Sequence, residues 1–186
     1  MFKSIYYYID KFDREEIAKL NKSINIIYRN YSKKLNTKEL FQLVTFCKKQ
    51  KRKVYMSNNL KLALRFNFDG VYIPSFNKSL KYKNIIKKKF DVIGSAHNIK
   101  EIINKELQGC TKIFLSPIFK NKKNKYYLGV TKFNLIKLCT KKDVISLGGI
   151  NGKNIKYLRM CNVNGFAGIS WIKKNGPSIN TGPFKF

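Results

Sequence analysis

A closed (β/α)8 barrel, a TIM barrel built as one compact domain, is the fold class that the sequence predicts. Three observations carry it. Short β-rich runs alternate with segments of helical period along the whole chain. Eight such runs can be counted, which favours closure over an open doubly wound sheet. Several are continuously apolar or aromatic, as suits strands covered on both faces of a parallel sheet. The 186 residues fit one domain, since chains divide mostly beyond ~250 residues. They fall short of the ~250 usual for such barrels, so the loops must be short and the last helix reduced.

The elements follow in order. Ser4–Ile9 is the first strand, and its tyrosines Tyr6, Tyr7 and Tyr8 should face alternately into the barrel and toward the helices. Residues 24–29 form the second. Residues 37–50 then read as a helix, with Asn36 three positions before Glu39 as a capping box and Leu40, Phe41, Val44 and Phe46 spaced for one apolar face. Residues 53–57 and Gly70–Ile73 supply strands three and four, and residues 91–95 and 112–116 supply five and six. Ile99–Leu107, 132–139 and 154–161 read as helices. Asp143–Leu147 and residues 165–170 complete the eight strands. Seven helices are expected, with a stunted eighth unit after Trp171. The stretch 174–186, which holds the pairs Gly176-Pro177 and Gly182-Pro183, reads as an irregular tail of a single domain spanning 1–186.

Composition narrows the function. The formal net charge is +29, which could signal nucleic acid, an anionic membrane or small anionic substrates. Only five of the 39 basic residues are arginine, and Lys, Asn and Ile are enriched together. That pattern is expected of an AT-rich coding sequence, so the charge reads as a solvated surface and nucleic acid is not the expected partner. Cys47, Cys110, Cys139 and Cys161 are scattered, without a CxxC pair, and read as free thiols in a reducing compartment. Charged residues interrupt residues 1–20, and neither a signal peptide nor a membrane span is expected; the cytoplasm is the expected location.

Barrel active sites lie at the C-terminal ends of the strands, with phosphate held after strands seven and eight. Gly148 and Gly149 follow strand seven directly, where small residues let backbone N–H groups approach an anion. Gly168-Ile169-Ser170 ends strand eight before a helical turn, so amides there and the Ser170 hydroxyl complete a candidate phosphate cradle. A tight turn needing no ligand would read the same way. Of ten acidic residues, Asp10 is the one placed just past a strand at the active end. Mg2+ commonly takes one or two carboxylates together with substrate phosphates; one Asp is thin support, and no cofactor is expected. His97, the single histidine, ends strand five. Imidazole, with its ordinary pKa near ~6.5, suits reversible proton transfer at neutral pH. Capping the next helix is its alternative role.

The same residues carry a family resemblance. Ser146-Leu147-Gly148-Gly149-Ile150-Asn151, then Asn154, then residues 165–170, resemble the "GGI–N–x–x–N … G–x–A–x–x–S" close of the thiamine phosphate synthase/TenI family. Residues 59–73 resemble its "DLALALGADGVHL" stretch, and Ser95-Ala96-His97-Asn98 its "S–x–H–S/T" segment. Gly109-Cys110 through Ser116-Pro117-Ile118-Phe119 is similar to "GADYV–x–x–GPIF", and Arg29 fits the arginine of "QLREK". The likeness spans residues 5–172. It implies phosphate binding at Gly148, Gly149, Ile169 and Ser170, substrate binding at Arg29 and Ser95, and a proton-transfer role for His97. It also exposes departures. The synthases' Mg2+-handling carboxylates fall on Asn58 and Asn77, left as uncharged substrate-binding candidates. The Gln and Lys of "QLREK" fall on Ile27 and Tyr31. The pyrophosphate loop becomes Lys120 to Lys125, in which Lys122 and Lys123 are candidate anion ligands.

The leading expectation is a TenI-like protein that binds a small phosphorylated thiazole and catalyses metal-independent proton transfer. Thiamine phosphate synthesis from pyrimidine pyrophosphate and thiazole phosphate is the second, and a degenerate barrel that binds a ligand or partner without catalysis is the third.

Overall fold

The strand candidates become a closed eight-stranded parallel barrel in the computed structural model, which describes residues 2–31, 35–83, 85, 89–121 and 126–176. The strands are β1 Ser4–Ile9, β2 Ile24–Tyr28, β3 Val54–Ser57, β4 Gly70–Ile73, β5 Asp91–Ala96, β6 Lys112–Leu115, β7 Asp143–Leu147 and β8 Gly165–Gly168. They pair in sequence order, and β8 closes on β1 with Ile5 opposite Phe166. The helices are α1 Arg14–Lys19, α2 Thr37–Lys49, α3 Leu60–Arg65, α4 Ile99–Leu107, α5 Gly129–Leu138 and α6 Ser170–Asn175. None of them is long and apolar enough to cross a membrane.

Alternation along each strand splits the core in two. Tyr6, Tyr8, Ile27, Tyr55, Tyr72, Ile93, Phe114, Ile145 and Ala167 fill the barrel interior. Tyr7 points the other way, into the larger layer between strands and helices, as the tyrosine run predicts. Branched aliphatic residues usually fill such interiors; here aromatic edges do much of it. Tyr6 meets Phe114 at 4.8 Å between centroids, and Tyr8 and Phe114 each meet Tyr72 at 5.5 Å. Edge-to-face rings at these spacings add to simple burial.

Several helical expectations need correction. The connection between β4 and β5 shows only a 3-10 turn at Leu80–Tyr82 among the described residues, and the expected helix 154–161 is a 3-10 segment, Ile155–Met160. The described residues therefore hold six α-helices rather than seven with a stunted eighth. The eighth strand stops at Gly168, so Ile169 is the N-cap and Ser170 the first residue of α6. In α2 the buried face is Leu40, Leu43, Val44 and Cys47, the i, i+3, i+4, i+7 set, while Phe41 is exposed. Asn36 caps the helix through Oδ1, at 3.0 Å from Lys38 N and 3.2 Å from Glu39 N. The capping box stays half-formed because Glu39 turns to the β1 end instead, accepting from Phe12 N at 2.6 Å.

Candidate active site

Continuing each inward-facing row past its strand end gives the residues of the barrel mouth. Tyr8 leads to Asp10, Ile27 to Arg29, Tyr55 to Ser57, Ile93 to Ser95 and His97, and Phe114 to Ser116. The sheet itself thus delivers Arg29, Ser95 and His97 to one end. Ser95 is buried beside the Tyr72 hydroxyl. The Arg29 guanidinium lies 4.9 Å from the centre of the Tyr8 ring, a cation held on an aromatic face. A cleft of about 190 Å3 opens there, bringing Arg29 and Ile169 together with Asp10, Lys11, Glu16 and Lys173. Lys11, Glu16 and Lys173 were not singled out from sequence, since nothing in their spacing links α1 to α6.

His97 is exposed, but its ring is oriented. Nδ1 lies 2.8 Å from the Ser116 carbonyl oxygen and 3.2 Å from Ser116 Oγ. A carbonyl can only accept, so Nδ1 carries the hydrogen and the neutral ring keeps its lone pair on Nε2. The capping alternative fails for this ring. Asn98 is the N-cap of α4, accepting from Glu101 N at 3.0 Å, and His97 contributes only its backbone N–H, which donates to Glu101 Oε2 at 2.8 Å.

At the β7 end, Gly148 and Gly149 have φ of +92° and +75°, conformations that side chains oppose. A Cβ on Gly149 would stand 2.2 Å from Phe119 O, and one on Gly148 2.9 Å from Pro117 Cβ. The two glycines are therefore required by the packed β6 loop, whether or not an anion binds. Asn154 braces them, with Oδ1 accepting from Asn151 N at 2.8 Å and Nδ2 donating to Gly149 O at 2.8 Å. The Ser116-Pro117 segment touches His97 on one side and Gly148 on the other. Across from it, Ile169 is the N-cap of α6 and supplies no side-chain hydrogen bond, so the first-turn amides lack the usual side-chain acceptor.

Asn58 and Asn77 are brought together. Asn77 Nδ2 donates to Asn58 Oδ1 at 2.5 Å, and Asn77 Oδ1 accepts from Ser79 N at 2.8 Å. Both amide oxygens are thus engaged, and neither carries formal charge. Mg2+ wants oxygen ligands, carboxylates above all, so this pair does not fit the ion that the family resemblance implies. Among the described residues, no group of three or more His, Cys, Asp or Glu is placed to hold a metal. Lys122 and Lys123 lie outside the described residues.

Comparison with known proteins agrees with the motifs and the barrel. The family described as thiamine monophosphate synthase matches residues 15–172. A thiamine-phosphate synthase of Prochlorococcus marinus is 31% identical over 137 residues, covering 72% of this chain and 40% of that protein. One from Methanococcus vannielii is 27% identical over 120 residues, covering 63% and 58%. The chain thus spans about 40% to 58% of the length of these relatives. A thiamine phosphate pyrophosphorylase from Pyrococcus furiosus superposes with a TM-score of 0.74 at 17% identity, covering 94% of this chain and 92% of its own, which speaks to the fold alone. These names favour the second expected activity, synthesis, over the TenI-like one. Fold, strand-end motifs and family match agree that the chain belongs to the thiamine monophosphate synthase family.

Proposed function

We propose that this protein acts in thiamine phosphate biosynthesis by binding a phosphorylated thiazole across the barrel mouth, with His97 moving a proton on the ring. The observation that carries this is the Ser116-Pro117 segment, which fixes the His97 ring at 2.8 Å and packs against Gly148. His97 and the candidate phosphate-binding glycines thus lie on two sides of one short loop. Amides around Gly148, Gly149 and Ile169, with the Ser170 hydroxyl, would take the phosphate. Arg29, held on the Tyr8 ring, would orient a carboxylate. His97 Nε2 would take a proton from one position of a non-aromatic thiazole carboxylate and return it at another, leaving the aromatic ring. Such an isomerisation needs no co-reactant. It needs no metal either, in keeping with the Asn58–Asn77 pair.

The test is to supply a non-aromatic thiazole carboxylate phosphate to the purified protein in the presence of a chelator. Aromatised product is expected, and His97→Asn should slow it by about 10²- to 10⁴-fold while affinity for the phosphate ester holds. No aromatised product from the unaltered protein would sink the reading.

The relatives' names support a second reading, condensation of a pyrimidine pyrophosphate with thiazole phosphate. Its signature would be pyrophosphate release that depends on Mg2+. The uncharged Asn58–Asn77 pair weighs against it, and the same preparation can be assayed for both reactions.

A further inference from the structure

We infer that Lys105, on the outer wall of the barrel, is a positioning residue for the mouth: its buried ammonium and the Gln108 carboxamide hold the loop after β4 so that Asn77 meets Asn58. This deepens the function proposed above and rests on it only in taking the Asn58–Asn77 pair as part of the ligand site.

Lys105 sits on the buried face of α4, one turn after Ile102, where the helical period calls for an apolar side chain. It is 0% exposed. Room for its stem comes from β5. A Cβ on Gly94 would stand 2.8 Å from Lys105 Cδ, so the bare backbone of Gly94 lets the lysine pass over the strand. Nζ then donates to Pro74 O, Asn77 O and Gln108 Oε1, each at 2.8 Å. An ammonium carries three donors, and all of them are used. Gln108 turns its own donors the same way, with Nε2 at 2.9 Å from both Asn77 O and Ser79 O. Two neighbouring side chains of α4 thus grip the carbonyls of one loop.

That loop is a turn, and the ammonium bridges its two ends. Asn77 N donates to Pro74 O at 3.1 Å, and Nζ reaches the carbonyls of the same two residues. With the backbone fixed there, the Asn77 side chain is engaged on every side. Nδ2 donates to Asn58 Oδ1 at 2.5 Å and to the hydroxyl of the buried Tyr82 at 3.2 Å, while Oδ1 accepts from Ser79 N. Phe76, between the gripped residues, meets Tyr31 past the end of β2 at 5.8 Å between ring centres, so the loop leans over the mouth. Among the described residues the β4–β5 connection has only a 3-10 turn, and its brace comes from α4 instead. Adhesion alone does not explain the charge. A methionine would join α4 to the sheet with no ammonium to desolvate, and a buried ion rarely adds stability over an apolar residue of its size. An apolar side chain, however, cannot hold loop carbonyls.

Three measurements on the intact chain test this. In the unaltered protein, 15N-lysine spectra should show one ammonium whose protons exchange with water at least about tenfold more slowly than those of surface lysines; its absence overturns the inference. In Lys105→Met, which keeps the stem and removes the donors, amide exchange should rise by about tenfold or more over residues 74–80 and by less than about twofold in β1, β2 and β7. A rise spread evenly over the barrel, or none in the loop, would mean a structural post and nothing more. Gln108→Leu, which leaves the ammonium in place, should show the same pattern at smaller amplitude and decides the matter if Lys105→Met does not fold. The third measurement is turnover of the thiazole carboxylate phosphate. Lys105→Met should raise KM by about threefold or more with kcat within about twofold, as expected when ground-state and transition-state binding weaken together. In an Asn77→Ala background it should have no further effect, because the lysine acts through that residue; additive losses overturn the inference. If the unaltered chain shows no turnover, the proposed function fails, and the first two measurements still decide the role of Lys105.

Discussion

Asn58 and Asn77 show what a change of one atom each does to a site. As amides, one donates to the other at 2.5 Å and the pair closes on itself. As aspartates, two like charges at that spacing would repel, and one would be driven to hold a proton. The double variant Asn58→Asp, Asn77→Asp should therefore melt at a lower temperature than the parent at pH 7 and recover when Mg2+ reaches millimolar levels. The parent should show no such response. A thermal melt of both proteins across a Mg2+ series reads this, and Mg2+ stabilisation of the parent would undo the argument against a metal. These residues were legible as a pair only through the family motifs, since nothing in their separation in sequence says that they touch. His97 was legible from its solitude and its strand end. Its tie to Ser116 was not, because that contact depends on how β5 and β6 register. The Tyr31–Phe76 contact was invisible for the same reason: it joins two loops across an intervening strand.

The elements were legible where local chemistry decides them and misread where packing does. The strands came through within a residue or two because apolar runs between charged flanks mark them. α2 began where Asn36 says it should, yet its Phe41 proved to be outside, since only the exact helical period chooses among neighbouring apolar residues. The segment Ile155–Met160 carries Ile155 and Leu158 at helical spacing but winds as a 3-10 segment, and Asn154 supplies its first turn with no side-chain cap. One junction between elements makes a prediction. Glu16 on α1 accepts from Tyr7 of β1 at 2.5 Å and from Lys173 of α6, so it ties the α6 end of the candidate phosphate cradle to the barrel. Partial burial acts to raise the Glu16 pKa, but the hydrogen bonds from Lys173 and Tyr7 outweigh it and hold the carboxyl below its ordinary 4.5. A depressed folded value means that the unfolded chain binds the proton first as pH falls. This contribution is therefore complete above 4.5 and is lost as pH drops through the lower, folded value. Glu16→Gln should flatten that acid limb in urea titrations at graded pH, and it should weaken phosphate binding at pH 7 by loosening α6. An acid limb unchanged in the variant would assign the loss to other carboxylates.

At the scale of the whole molecule, the charge of +29 must be accommodated. Only two ion pairs occur among the described residues, Lys53–Asp91 and Lys173–Glu16, so most lysines face one another through solvent. A chain of this length folds to a radius of gyration of about 16 Å. The screening length is about 30 Å at 0.01 M salt and about 10 Å at 0.1 M. At low salt each lysine therefore feels the opposite side of the barrel, and at moderate salt only its neighbours. Self-repulsion of this kind destabilises a compact state, so the melting temperature should climb by several degrees as NaCl rises from 0.01 M to 0.3 M, and then level off. The shape of the response also separates two sources of anion sensitivity. Screening depends on ionic strength and is the same for chloride and phosphate at matched strength. A cradle at Gly148, Gly149 and Ser170 would add a phosphate-specific rise that saturates as RT ln(1 + [L]/Kd) and disappears in a Ser170→Ala, Glu16→Gln double variant. Equal curves for the two salts in the parent would mean that the surface alone accounts for the affinity for anions, and the proposed cradle would have to be abandoned.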